Sequence, residues 1–344
     1  MQQPLRGQVA LVAGATRGAG RGIALELAAA GAKVWCTGRS TGRRLATPGR
    51  PETIDETAAM IAAAGGQAVA VRADHTQEED VAALAARLKA EEGRLDVLVN
   101  DIWGGDDMID WGAKFWTLDI SNVRPLADQA IFSHLITSRH LAPMMVAAGR
   151  GLIVEVTDGA LSGYRGHLLY DFVKSSVIRL AYAMAWDLAG TGVTALALSP
   201  GFLRSEVVLE KIGVTEANWR DGAKKNPDFA YSESPRYIGR AVAALAADPQ
   251  VRAKSGLALR GADLAAEYGF GDIDGSRPDF WRDVQAWLES EMAKNGPLDP
   301  QARWMASAWY AMMHATPTHQ AQARRYAERL GFKDLGKGLQ PFGS

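Results

Sequence analysis

A doubly wound α/β fold is predicted for this chain of 344 residues by three observations. Short apolar runs alternate with helical stretches from about residue 8 to residue 260. The first run ends in a turn with widely spaced glycines, and a later helical stretch carries Tyr170 and Lys174 four residues apart. Alternating strand and helix gives a parallel sheet with helices on both faces, joined by right-handed crossovers.

Residues 8–13 are an apolar run ending at glycine, the pattern of a buried strand. A helix is expected over 20–30, with Ile23, Leu25 and Leu27 on its apolar side and Gly31 as its stop. Residues 33–37 read as the second strand and 40–50 as a polar, arginine-rich loop. Pro51 is expected to open a helix whose first turn holds Glu52 and Asp55, acids that suit the positive end of the dipole. Further strands are expected at 67–72, 95–99, 152–156, 193–198 and 257–260, giving about seven. Between 201 and about 232 the pattern is irregular and aromatic, as in a substrate loop. After residue 270 the composition shifts to a helical C-terminal extension over 271–344. Phe280, Val284, Trp287 and Leu288 recur there at helical spacing, as do Met305, Trp309 and Met312; Trp281 and Trp304 lie in the same tail. That extension is expected to close over the pocket or to pack at a subunit interface.

With 47% hydrophobic and 22% charged residues, the chain has the composition of a soluble globular protein. A formal net charge of -1 supplies no basic field for nucleic acid or an anionic membrane. Its single cysteine, Cys36, excludes an intramolecular disulfide and a four-thiolate metal site. No metal-ligand spacing occurs among the six histidines. The N-terminus has no basic-then-apolar signal and no apolar run reaches spanning length, so a cytoplasmic location without a membrane span is expected.

The first turn spaces its glycines as Gly14, Gly18 and Gly20, with Thr16 and Arg17 between them. Gly14 permits the tight turn, and Gly18 and Gly20 let the backbone approach a pyrophosphate at the helix start. This is the phosphate turn of a Rossmann-type, dinucleotide-binding domain, expected over 1–270. Arg39 follows the second strand, where an acid would bind the ribose of NAD and an arginine suits the 2′-phosphate of NADP. NADP(H) is therefore expected over NAD(H), with Arg17 reaching the same phosphate. Arg43 and Arg44 read as solvated loop residues.

Together these features resemble the short-chain dehydrogenase/reductase family over roughly residues 5–270. The resemblance rests on the turn at 14–20, Asp74 after the third strand, Asn100 ending the fourth, Tyr170 with Lys174, and Ser199-Pro200-Gly201. Residues 151–154 and 271–275 point to one branch of that family. The resemblance implies that Asp74 contacts the adenine and that Asn100 holds the central strand against the cofactor. It also implies that Pro200 and Gly201 shape the nicotinamide site, with Ser205 in the place of a carboxamide-binding threonine. Homodimers or homotetramers are expected on the same ground.

A tyrosine titrates near 10, and a neighbouring ammonium favours its phenolate. Lys174 is expected to lower Tyr170 in this way and to bind ribose, while Tyr170 serves as acid/base. The family's serine is missing: Thr157 and Asp158 stand thirteen and twelve residues before Tyr170. Thr157 can make the same hydrogen bond and is favoured, with Asp158 capping a turn. Asp158 in that place would instead suit a cationic iminium. The asparagine of the family's proton relay is expected near Leu126, with Asn122 out of register, so the relay is absent or rebuilt. Trp103, Trp111, Tyr164, His167, Phe202 and Trp219 are candidate pocket walls for an apolar, ring-containing substrate. Three functions follow: NADPH-dependent reduction of a ketone or aldehyde, reduction of a C=N bond, and cofactor binding without catalysis.

Overall fold

The computed structural model describes residues 3–159, 165, 167–283, 286 and 290. Its seven strands are β1 (Val9–Ala13), β2 (Lys33–Gly38), β3 (Gln67–Arg72), β4 (Val97–Asn100), β5 (Gly151–Val156), β6 (Val193–Ser199) and β7 (Ala258–Arg260). They form one sheet in the order β3-β2-β1-β4-β5-β6-β7, parallel at every pair. The order reverses at β1, so a crevice opens above the carboxyl ends of β1 and β4, where ligands bind in such sheets.

Burial on both faces explains the unbroken apolar runs. Within β1, Ala10 and Val12 join the core on one side, and Val9, Leu11 and Ala13 join the core on the other. The helices are α1 (Gly18–Ala29), α2 (Ile54–Ala63), α3 (Glu78–Glu92), α4 (Val123–Ala127), α5 (Ser133–Ala148), α6 (Leu168–Asp187), α7 (Glu206–Ile212), α8 (Pro235–Ala247) and α9 (Gly261–Tyr268). One π turn, Asp128–Phe132, joins α4 to α5.

Several element starts differ from the sequence reading by one to three residues, α1 among them at Gly18 rather than Gly20, and two have a clear cause. Helix α2 begins at Ile54, not Pro51, because the Thr53 hydroxyl accepts the Glu56 N–H and caps it. Glu52 stays outside the helix and pairs with Arg50 instead. Strand β4 begins at Val97, because the Asp96 carboxylate turns back to accept the Val9 N–H at 2.9 Å. The expected C-terminal extension lies largely outside the described residues, including Trp287, Trp304 and Trp309. Residues 271–275 are fastened to the main body: buried Asp272 pairs with Arg204 at 3.1 Å and accepts the Ser234 N–H at 2.8 Å.

Candidate active site

A cavity of about 1230 Å³ opens over the carboxyl ends of β1, β4, β5 and β6. The glycine turn forms its floor. Gly14 adopts φ +93°, and a Cβ there would lie 2.3 Å from the Asp101 carbonyl oxygen. A Cβ on Gly20 would lie 2.3 Å from the Gly14 carbonyl. Both positions therefore exclude any side chain. Thr16, Arg17, Arg39 and Asp74 line the end nearest β2 and β3. Neither Arg17 nor Arg39 has an ion-pair partner within 4 Å among the described residues, although Arg17 lies near enough to Glu52 to lower its carboxyl; both arginines line the cavity. Asp74 accepts from the Thr76 N–H at 3.1 Å and the Thr76 hydroxyl at 2.7 Å. This strand, turn, helix and pair of arginines fit the pyrophosphate and phosphate groups of a nicotinamide dinucleotide. The Gly18 N–H is already engaged: it donates to the Glu206 carboxylate of α7 at 2.8 Å. The other oxygen of Glu206 lies 3.4 Å from Arg21.

Asn100 is not on the cavity. Its side chain is fully buried and donates to Glu155 at 2.7 Å and Ser138 at 2.9 Å. The next residue, Asp101, lines the cavity instead. Strand alternation carried the signal, since adjacent residues face opposite sides of a sheet. Burial pushes the Asp101 carboxyl up to about 7, against the opposing pull of Lys174 and His134. Within its buried layer, His134 contacts Glu155 at 2.6 Å and the Ile102 carbonyl at 3.0 Å.

Tyr170 and Lys174 lie one turn apart on α6, and both line the cavity. The Tyr170 hydroxyl donates to Asp158 Oδ2 at 2.6 Å. The Arg165 guanidinium pairs with Asp158 Oδ1. Trp103 stands edge-on to Tyr170 with centroids 5.6 Å apart, and Trp111 lies 5.1 Å from it. Lys174 Nζ sits 4.1 Å from the Trp103 ring centroid and 5.4 Å from that of Tyr170. A cation over an aromatic face is attracted by the ring quadrupole.

Two expectations change here. The Thr157 hydroxyl does not face Tyr170; it donates to the Lys174 carbonyl at 2.8 Å and ties the end of β5 to α6. Asp158, expected to cap a turn, is the residue on the phenol. Tyr170 is also not lowered by its lysine. Burial, then the charge of Asp158 and its hydrogen bond, push the phenol well above its ordinary value. Burial lowers Lys174, while Asp158 and Asp101 raise it. Burial thus sets the direction for the phenol, and the carboxylate beside it adds to it.

The relay position holds no asparagine. Leu126 is buried in an apolar cluster with Ile109, Leu169 and Val173. One turn on, Gln129 reaches the cavity from the π turn and donates to the Trp103 carbonyl at 3.2 Å. Nothing in the sequence marked it, because a π turn shifts the helix register by one residue.

Of the remaining pocket candidates, Trp103, Trp111 and Phe202 line the cavity, as do Pro200, Gly201 and Ser205. His167 is buried off the cavity, against Trp111 at 6.0 Å, with no partner on either ring nitrogen among the described residues. Trp219 is core, 6% exposed, with Arg204 4.3 Å and Arg220 4.5 Å from its ring centroid. Tyr164 lies outside the described residues. Phe280 and Trp281, at the start of the tail, also wall the cavity.

The family pattern "short chain dehydrogenase" matches residues 8–212, the glycine turn and the Tyr170–Lys174 helix included. The chain belongs to the short-chain dehydrogenase family. Among members of that family, mouse dehydrogenase/reductase SDR family member 1 is 37% identical over 279 residues, 80% of this chain and 86% of the relative. The human protein of that name is 35% identical over 84% of this chain and 88% of its own length. A metagenomic short-chain oxidoreductase solved with NADP superposes with a TM-score of 0.57 at 26% identity, covering 75% of this chain and 98% of the other. A 7α-hydroxysteroid dehydrogenase solved with NADH and 7-oxo glycochenodeoxycholic acid gives 0.60 at 26% identity, covering 74% and 93%. This short-chain dehydrogenase is accordingly an oxidoreductase. Among the described residues no helix is long and apolar enough to cross a membrane, and no cluster of His, Cys, Asp and Glu could hold a metal ion.

Proposed function

We propose that the protein reduces the carbonyl of a ketone or aldehyde on an apolar, ring-containing molecule with NADPH, and that Tyr170 is the acid. The observation that carries this reading is the Tyr170 hydroxyl, kept protonated on Asp158 in the same cavity as the glycine turn. A phenol held in its acid form suits reduction, where a proton must be given to the substrate oxygen. When bound, the reduced nicotinamide supplies hydride to the carbonyl carbon. Tyr170 gives its proton to the oxygen as negative charge develops there, and Lys174 faces the phenolate that remains. Asp158 then takes up a proton from solvent and passes it to Tyr170. Its side chain is 31% exposed and its Oδ2 already touches the phenol, so it bridges solvent and acid where the family's relay residue is missing. The aromatic walls Trp103, Trp111 and Phe202 suit a ring-containing substrate.

Asp158→Asn is expected to lower ketone turnover about 10- to 100-fold, with partial recovery on adding formate as an external proton carrier. Steady-state rates at saturating NADPH check this; an unchanged rate would remove Asp158 from the proton path. The same carboxylate favours a second reading, since it can accept the N–H of an iminium substrate. Under that reading cyclic iminium ions are reduced faster than matched ketones, and Asp158→Ser abolishes the difference.

The preference for NADPH rests on Arg17 and Arg39, which line the cavity and make no ion pair among the described residues. Arg39→Glu is expected to weaken NADPH about 100-fold while changing NADH severalfold at most, because a charge-assisted contact contributes about 1.5–3 kcal/mol and is replaced by repulsion. Calorimetric titration with both cofactors checks it, and an equal loss for both would reassign Arg39.

A further inference from the structure

Beyond the nicotinamide end, the cavity runs between the loop after β6, helix α7 and the start of the C-terminal tail. Its walls there are apolar: Phe202 packs against Phe229 at 5.8 Å and Phe280 at 5.6 Å, and Val207 and Val208 come from α7. One carboxyl group breaks this surface. Asp228, in the short 3-10 turn Pro227–Tyr231, lines the cavity and is 8% exposed. Its Oδ1 is buried, with no hydrogen-bond partner among the described residues. A carboxyl group left unpaired in an apolar wall is costly, and one on the wall of a ligand cavity is satisfied when the ligand brings the hydrogen.

We propose that Asp228 is a distal substrate anchor that binds a hydroxyl group, so that the substrate is a ketone or aldehyde carrying a hydroxyl at the far end of an apolar body. This deepens the carbonyl reading above and rests on it. A neutral hydroxyl fits better than an ammonium for two reasons. Lys114 and Lys211 line the same cavity without carboxylate partners among the described residues, and both repel a cation. Burial raises the Asp228 carboxyl, against the backbone N–H groups of Asp228 and Phe229. A hydroxyl pairs with either protonation state of that group, because it both donates and accepts. Lost discrimination at such a site is large, since a buried polar group left unpaired counts against every ligand that lacks the matching donor.

Methyl ketones built on one or two aromatic rings test the anchor, with hydroxymethyl, methoxymethyl, aminomethyl or methyl at the far ring position. Their dissociation constants are measured by calorimetry on the NADP⁺-loaded full chain, where the ketone cannot be reduced, with the absorbance of any NADPH formed followed to exclude oxidation of the hydroxymethyl group. The wild type is expected to bind the hydroxymethyl ketone about tenfold or more tightly than the methyl one at one of the two lengths. Asp228→Leu is expected to reduce that ratio to about twofold or less, and Asp228→Asn, which keeps an acceptor oxygen, to retain part of it. The NADP⁺ dissociation constant of each variant verifies its fold. Equal binding of hydroxymethyl and methyl ketones by the wild type, tightest binding of the ammonium, or a ratio that survives Asp228→Leu would each overturn the anchor while leaving carbonyl reduction intact. Failure of every ketone to bind would overturn both.

Discussion

Tyr170→Phe is expected to lower ketone reduction by about a thousandfold while the protein still binds NADPH. General acid catalysis contributes about 10²- to 10⁴-fold, and no other acid touches the phenol position except Asp158, which accepts from it. The ring is kept by the substitution, so the contacts with Trp103 at 5.6 Å and Trp111 at 5.1 Å survive. Single-turnover rates at saturating cofactor measure the loss directly. The pH profile supplies a second check. Burial and Asp158 raise the Tyr170 phenol, so its acid form persists as pH climbs, and reduction should hold level from neutrality to at least about pH 10. A fall centred nearer neutrality, or Tyr170→Phe within about tenfold of the wild type, would assign the proton to another group.

The second large effect is on stability. Gly22 of α1 crosses α8 at close range: a Cβ on Gly22 would lie 2.0 Å from the Pro235 carbonyl oxygen, and one on Gly239 would lie 2.5 Å from the Gly22 carbonyl oxygen. Backbone meets backbone there, so no rotamer relieves the clash. Gly22→Ala is expected to destabilise the fold by about 3 kcal/mol, the upper end of overpacking costs. In a domain of this size that lowers the melting temperature by roughly 6–12 °C. Thermal unfolding with and without NADPH measures it; a shift below about 2 °C would mean that the two helices separate readily. The cofactor turn begins α1, so the same variant should also weaken NADPH.

Much of this was legible in the sequence because it is periodic or steric. The five inner strands of the sheet appear as buried apolar runs, and the edge strand β3 at Gln67–Arg72, only partly buried, coincides with the expected span. The turn at 14–20 was legible because close backbone approach requires glycine. Residue choice at the reaction centre was less so. Thr157 and Asp158 are neighbours, and only the direction in which β5 ends decides which one meets Tyr170. Asn100 and Asp101 pose the same problem at the end of β4. Gln129 was hidden by the π turn, and Asp228 by lying in a loop without periodicity. Identity of residue type survives in sequence; the side of a strand end or loop on which it emerges is set by packing.

Glu206 gives the cofactor turn a property that its glycines alone do not confer. The start of α1 attracts anions, and here one is already resident, bonded to the Gly18 N–H and close to Arg21. A coenzyme that leaves after every cycle vacates a helix terminus that would otherwise need a counter-ion from solvent. With its own carboxylate in place, the terminus stays neutralised between turnovers, and exchange of spent for fresh coenzyme costs less. Because that carboxylate belongs to α7, which also walls the distal end of the cavity, charge balance at one end and the shape of the other are set by a single seven-residue helix.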